Sequence, residues 1–193
     1  MDDVHFSSES VEWGTPQDLF DAINKEWGPF TLDPAASAGN NKVEHYYTKE
    51  MDGLVHSWFW EDVFMNPPYG KEEKACKKNC KKKKCVTRGY HISEDAPGIG
   101  AWMKKVSEDP SFAVCVIPSR TDTQWFQQYV FRRASEIYFI EGRLEFVGEQ
   151  GVKTTAPFPS VIAIYEQRDE RQPKPTIGIA KKEESVWAFE VIA

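Results

Sequence analysis

The chain has 193 residues and a mass of 22.2 kDa, enough for one domain with a real core and too little for a catalytic domain plus a separate recognition domain. With 40% hydrophobic and 13% aromatic residues it lies in the globular range, and with no long apolar run, signal peptide or lipidation pattern in view the expectation is a soluble, cytoplasmic protein. A formal charge of −6 excludes a protein that coats nucleic acid over its whole surface. The basic charge is segregated instead, with Lys71, Lys74, Lys77, Lys78, Lys81, Lys82, Lys83, Lys84 and Arg88 in one stretch.

In chain order, residues to about Ser10 read as a disordered or edge segment. Thr15-Pro16 is a helix start, with the hydroxyl as N-cap and proline at the first helical position, leading into Gln17-Asp18-Leu19-Phe20 and ending near Gly28-Pro29. Phe30-Thr31-Leu32-Asp33 reads as a short buried strand stopped by Pro34, and Val63-Phe64-Met65 as a second that runs into Asn66-Pro67-Pro68-Tyr69-Gly70. The pattern over 43–60 is irregular. Helical spacing covers 99–106 and 121–134; apolar strands cover 112–118, 136–142 and 160–166. Lys181 to Glu184 reads as a solvated turn before the apolar Val186-Trp187-Ala188-Phe189. Alternating strands and helices imply an α/β fold with a mostly parallel sheet, whose ligands bind at the C-terminal strand edges.

Asn66-Pro67-Pro68-Tyr69 suits chemistry on an amine conjugated to an aromatic ring, whose lone pair is delocalised and weakly nucleophilic. The Asn66 oxygen and the Pro67 carbonyl can accept the two N–H groups and favour the tetrahedral nitrogen that develops on methylation. Pro67 and Pro68 fix the directions of those acceptors. Tyr69 offers a flat face for a base swung out of a duplex, stacking being worth about 1–3 kcal/mol. A plain proline turn after a strand is the competing account.

Trp13-Gly14-Thr15-Pro16, Leu32-Asp33-Pro34-Ala35-Ala36, Asn66-Pro67-Pro68-Tyr69-Gly70, Ile117-Pro118-Ser119-Arg120-Thr121-Asp122-Thr123 and Gly142-Arg143-Leu144-Glu145-Phe146 together resemble the phage-type DNA N6-adenine methyltransferase family, over about residues 12–166. The resemblance implies a class I methyltransferase (Rossmann-like) three-layer sandwich of seven strands with the last antiparallel, S-adenosylmethionine as cofactor and double-stranded DNA as partner, with no obligate protein partner and no membrane. It implies that Asp33, in the loop Asp33-Pro34-Ala35, faces the ammonium group of the cofactor, that Thr15 and Pro16 touch its methionine end, and that Asp52 reaches its adenine or ribose. Asn66 stands between cofactor and base. Arg120 and Arg143, with the lysine run, are the candidate DNA contacts, and Phe158 a candidate wall of the base pocket. The loop departs from the glycine-rich version common in methyltransferases by carrying Ala36, Ser37 and Ala38 before Gly39.

Cys76, Cys80, Cys85 and His91 have spacings that can close a tetrahedral site for structural zinc, within a basic insertion at about 71–98 of a single domain spanning 1–193. Reduced cysteines in a mobile basic loop are the alternative. The same four-residue centre would also serve cytosine N4, RNA or protein glutamine, and a noncatalytic zinc-dependent nucleic-acid-binding module is the reading from a different class.

Overall fold

The computed structural model describes residues 14–77, 80–110, 112–147, 153–166 and 174–193. The expectation for the opening residues lies outside them. Helix α1 (Gln17–Trp27) buries Leu19, Phe20 and Ile23 on one face, each such side chain contributing about 2–3 kcal/mol. Pro16, not Thr15, precedes the first helical residue, and its carbonyl accepts from Phe20 N–H at 3.0 Å. The expected threonine cap is therefore not formed: the Thr15 side chain points inward, is 2% exposed, and its hydroxyl has no hydrogen-bond partner among the described residues.

Strands β1 (Asp62–Met65), β2 (Phe112–Pro118), β3 (Glu136–Ile140), β4 (Glu145–Val147), β5 (Lys153–Thr155), β6 (Ser160–Glu166), β7 (Thr176–Glu183) and β8 (Val186–Val191) follow, with helices α2 (Lys83–Arg88) and α3 (Ile99–Val106) between β1 and β2. The main sheet has the order β1-β2-β6-β3-β7-β8, and β4 and β5 form a separate ribbon. Strands β1, β2, β3 and β7 run one way, β6 and β8 the other. Before β1, the expected first strand contracts to isolated parallel bridges, Leu32 with Val63 and Asp33 with Tyr46, because Pro34 ends the run.

Alternation along the strands divides the sheet into two faces. Phe64, Val114 and Ile164 are neighbours in register, as are Val116, Ile162 and Tyr138, and both rows lie on the face toward α1, where Phe20 packs edge-on against Phe64 at 4.9 Å and Trp27 against Tyr138 at 5.4 Å. On the opposite face Tyr165, opposite Ala113, donates its hydroxyl to the Tyr129 carbonyl at 3.0 Å. Tyr129 belongs to a π-helix (Phe126–Phe131), which replaces most of the helix expected over 121–134 and packs with α3. Helices on both faces of a mostly parallel sheet make the three-layer class I methyltransferase architecture.

The chain after β6 adds a hairpin to the sheet rather than a solvated turn over 181–184. Lys181 to Glu183 continue β7, and the reversal falls on Glu184 and Ser185, both at positive φ, the backbone that matches a two-residue hairpin to strand twist. The hairpin is clamped onto α1: Lys182 Nζ and Trp187 Nε1 both donate to Asp18 Oδ2, at 2.5 and 3.1 Å.

Candidate active site

Parallel direction places the C-terminal ends of the 30–33 segment, β1, β2 and β3 at one edge of the sheet, so Asp33, Asn66, Arg120 and Arg143 all leave from that edge. Asn66 is half-buried there, Pro67 buried and Pro68 exposed. The Tyr69 hydroxyl donates to Asn66 Oδ1 at 2.5 Å and also lies 3.3 Å from the Val116 carbonyl, which orients the carboxamide oxygen. Burial pushes the Tyr69 phenol far above its ordinary pKa, against the opposing effect of Arg120, and keeps it a protonated donor.

Tyr69 differs in one respect from its expected part. Its ring is 8% exposed and meets Phe158 at 5.5 Å and Phe146 at 6.2 Å, both edge-to-face. In this arrangement it turns no open face outward, because an aromatic ring at a sheet edge is more stable with its carbon surface covered and its hydroxyl bonded. Phe158 thus packs on the 66–69 loop. In the sequence Phe146 stands only as the last residue of the motif Gly142-Arg143-Leu144-Glu145-Phe146, with no part in the site assigned to it. Arg120 Nη1 reaches the Tyr69 carbonyl at 3.4 Å and braces the loop from behind. Arg143 is exposed, after the turn at Gly142 with φ 78°.

Asp33 is 4% exposed and accepts from Ala35 N–H at 3.4 Å and Lys42 N–H at 3.2 Å. Burial raises its pKa to about 6, the two backbone bonds and Lys42 opposing. Nothing in the sequence pattern singled out Lys42, whose Nζ donates to Gln17 Oε1 at 3.0 Å and so holds the start of α1 against this loop. Gly14 exchanges two backbone hydrogen bonds with Val147, at 3.1 and 3.0 Å. Thr15, next in the chain, is thereby held beside the ribbon that carries Phe146. A second buried hydroxyl without a partner among the described residues, Ser160 Oγ, lies opposite Pro118 at the same edge.

Asp52 adopts φ 52° and caps the following turn by accepting from Leu54 N–H at 3.2 Å. Its neighbour Gly53 presses on the cofactor-loop candidate: a Cβ there would stand 2.1 Å from the Pro34 carbonyl oxygen. Gly53→Ala is accordingly expected to lower stability by about 1–3 kcal/mol and to displace Asp33-Pro34, read as a lower denaturation midpoint together with weaker cofactor binding in calorimetry; an unchanged midpoint would remove this contact from the account.

Two open clefts, of about 480 and 390 Å³, contain none of these residues. In the first, Lys105 pairs with Asp109 at 2.9 Å, and the second lies at the opposite sheet edge, beside Asp62 and Phe112. Polar groups that leave the strand ends at one edge, rather than these clefts, define the candidate site.

In the 71–98 segment, Lys74 pairs with Glu72 and with Asp95, and Lys84 with Glu73. Lys77, Lys81, Lys82 and Lys83 are exposed; Lys78 and the side chain of Arg88 lie outside the described residues. The Cys76, Cys80, Cys85 and His91 ligand atoms all fall within 4.8 Å of one another.

The model of the family described as DNA N-6-adenine-methyltransferase (Dam) matches residues 6–187. The chain belongs to the Dam family. Among relatives, YfdM of Escherichia coli (strain K12), named as a methyltransferase, is 39% identical over 64 residues, 30% of this chain and 70% of that protein. The DNA N-6-adenine-methyltransferase of Escherichia phage T1 is 33% identical over 67 residues, 34% of this Dam-family chain and 28% of the phage protein. The fold is similar to the methyltransferase subunit of a type I restriction-modification system from Streptococcus thermophilus, with TM-score 0.50 and 11% identity over 92% of this chain. This chain spans half of that subunit and about a quarter of the phage protein. No helix of the described residues is long and apolar enough to cross a membrane.

Proposed function

We propose that this Dam-family chain methylates the N6 amine of an adenine flipped out of double-stranded DNA, using S-adenosylmethionine. The reading rests above all on one observation: the carboxamide oxygen of half-buried Asn66, held by the buried Tyr69 hydroxyl, just past the C-terminal end of the parallel strand β1.

The residues present fit the cofactor. Asp33 brings a buried carboxylate and Thr15 a buried hydroxyl without a partner among the described residues, a set suited to an α-amino-acid end: Asp33 would hold the ammonium group and Thr15 a carboxylate or amine. Pro16, Pro34 and Ala35 would line that end, and Asp52 would reach the ribose. When bound, the cofactor supplies an electrophilic methyl group on a sulfonium.

The chain's own work is orientation. Asn66 Oδ1 and the Pro67 carbonyl accept the two N–H groups of the base amine and direct its lone pair out of the ring plane. The Tyr69 hydroxyl keeps the Asn66 oxygen turned toward the edge, Arg120 steadies the Tyr69 carbonyl, and Phe146 and Phe158 exclude water behind them. Lys77, Lys78, Lys81, Lys82, Lys83, Lys84 and Arg88, from the insertion that follows Tyr69 directly, attract phosphates and deliver the strand, with Arg143 at the rim. The Escherichia phage T1 relative supports a phage or prophage origin, and a DNA substrate is in keeping with the cytoplasm of a bacterial host.

The test is to incubate the protein with labelled S-adenosylmethionine and double-stranded DNA, digest to nucleosides and identify the labelled one. N6-methyladenine is expected. Label in N4-methylcytosine would redirect the base assignment, and label confined to RNA or protein would overturn the DNA assignment.

A further inference from the structure

The segment from 71 to 98 contains almost no buried apolar surface. Val86 is 70% exposed and Tyr90 63% exposed, and of its described side chains Cys85 is the buried one. It also carries clustered lysines whose repulsion opposes compaction. Hydrophobic burial therefore cannot hold this segment in one conformation, yet its backbone is built around a single point. Glu73 and Ala96 exchange two backbone hydrogen bonds, at 3.0 and 2.8 Å, and Cys76 N–H donates to the Ile92 carbonyl at 2.9 Å, so the two limbs are paired just outside Cys76 and His91. Cys80 N–H donates to the Lys77 carbonyl at 3.1 Å, Cys85 lies in the first turn of α2, and Gly89 at φ 75° ends that helix and sends the chain back to His91.

The sulfur positions have a definite scale. Cys76 Sγ is 3.3 Å and Cys80 Sγ 3.7 Å from Cys85 Sγ. A disulfide would need about 2.05 Å; a tetrahedron with metal–sulfur bonds of about 2.3 Å has sulfur–sulfur edges of about 3.8 Å. The cysteines are free thiols at nearly tetrahedral spacing, with an imidazole nitrogen within the same 4.8 Å.

We propose that Cys76, Cys80, Cys85 and His91 bind one structural zinc ion, which folds the 71–98 segment into a rigid basic module beside the catalytic loop. Three thiolates and one imidazole match the borderline-soft preference of zinc, and no ligand position remains open for catalysis. The three thiolates and Zn²⁺ sum to a formal charge of −1, which the surrounding lysines offset. The module's role in gripping DNA rests on the methyltransferase reading above; the metal site does not.

The test uses the full chain purified from zinc-supplemented cells. One equivalent of zinc by elemental analysis is expected, and cobalt exchange should give the absorption of a tetrahedral thiolate site. Cys76, Cys80 and Cys85 should resist a thiol reagent until a chelator is added and then react together, while Cys115, buried in β2, reacts only on unfolding. Cys80→Ser should lower zinc content at least tenfold; should that variant fail to fold, His91→Ala, at an exposed position, gives the same reading. Substoichiometric zinc, bound iron and sulfide, or three thiols equally reactive with and without chelator would each overturn the site.

Discussion

Asn66→Ala is expected to lower kcat about 10²–10³-fold, a loss of about 2.7–4 kcal/mol, while cofactor affinity and the melting temperature change little. The size follows from removing one preorganised hydrogen-bond partner from a reacting group. Stability is spared because Asn66 is half-exposed and because the Tyr69 hydroxyl, deprived of the Asn66 oxygen, still lies 3.3 Å from the Val116 carbonyl, so no buried donor is orphaned. Asn66→Asp keeps an acceptor in the same place and should recover a substantial part of the rate. Single-turnover methylation with saturating cofactor isolates this step, and a wild-type rate in the alanine variant would eliminate the proposed centre.

Asp33→Asn should separate stability from binding. Burial holds the Asp33 pKa at about 6, against 3.8 for an ordinary aspartate, so the folded protein binds that proton more tightly than the unfolded chain does. The group's contribution is therefore fully present below about pH 4, is lost as pH rises to about 6, and is flat above. The roughly two-unit gap corresponds to about 3 kcal/mol, reduced by the Lys42 N–H bond that an amide satisfies less well. At pH 7.5 the variant is expected to be about 1–3 kcal/mol more stable than the wild type, and the difference between the two should vanish near pH 4. Its affinity for the cofactor should nevertheless fall about 10–100-fold, since a charge-assisted bond to an ammonium group is lost. The wild type should likewise bind the cofactor more weakly as pH drops below 6. Denaturant melts and calorimetry at matched pH values check both; equal binding by the two proteins would remove Asp33 from the cofactor site.

Several elements were legible before any coordinates. The apolar runs 112–118 and 160–166 and the helical spacing of 99–106 coincide with β2, β6 and α3, because a run buried on both sides, ended by proline or charge, has few alternatives. The stretch 43–60 was not, since it is organised by side chains reaching distant backbone, such as Trp58 Nε1 to the Gly53 carbonyl at 3.0 Å and Asp109 to Trp58 N–H at 2.7 Å. The helix over 121–134 was overestimated because periodicity does not distinguish an α-helix from a π-helix.

The amino-acid order by itself determined the chemical vocabulary: two acceptors held by prolines, a carboxylate after a short strand, three cysteines and a histidine in a basic stretch, and strands that alternate with helices. Those are properties of neighbours in the chain, set by residue type and backbone restriction. Only tertiary structure decided that Thr15 turns its hydroxyl inward instead of capping α1, that Tyr69 aims Asn66 rather than lying open, and that Gly53 presses on Pro34. Each of these depends on contacts between residues far apart in sequence, whose free energies are settled by packing and have no counterpart in local periodicity.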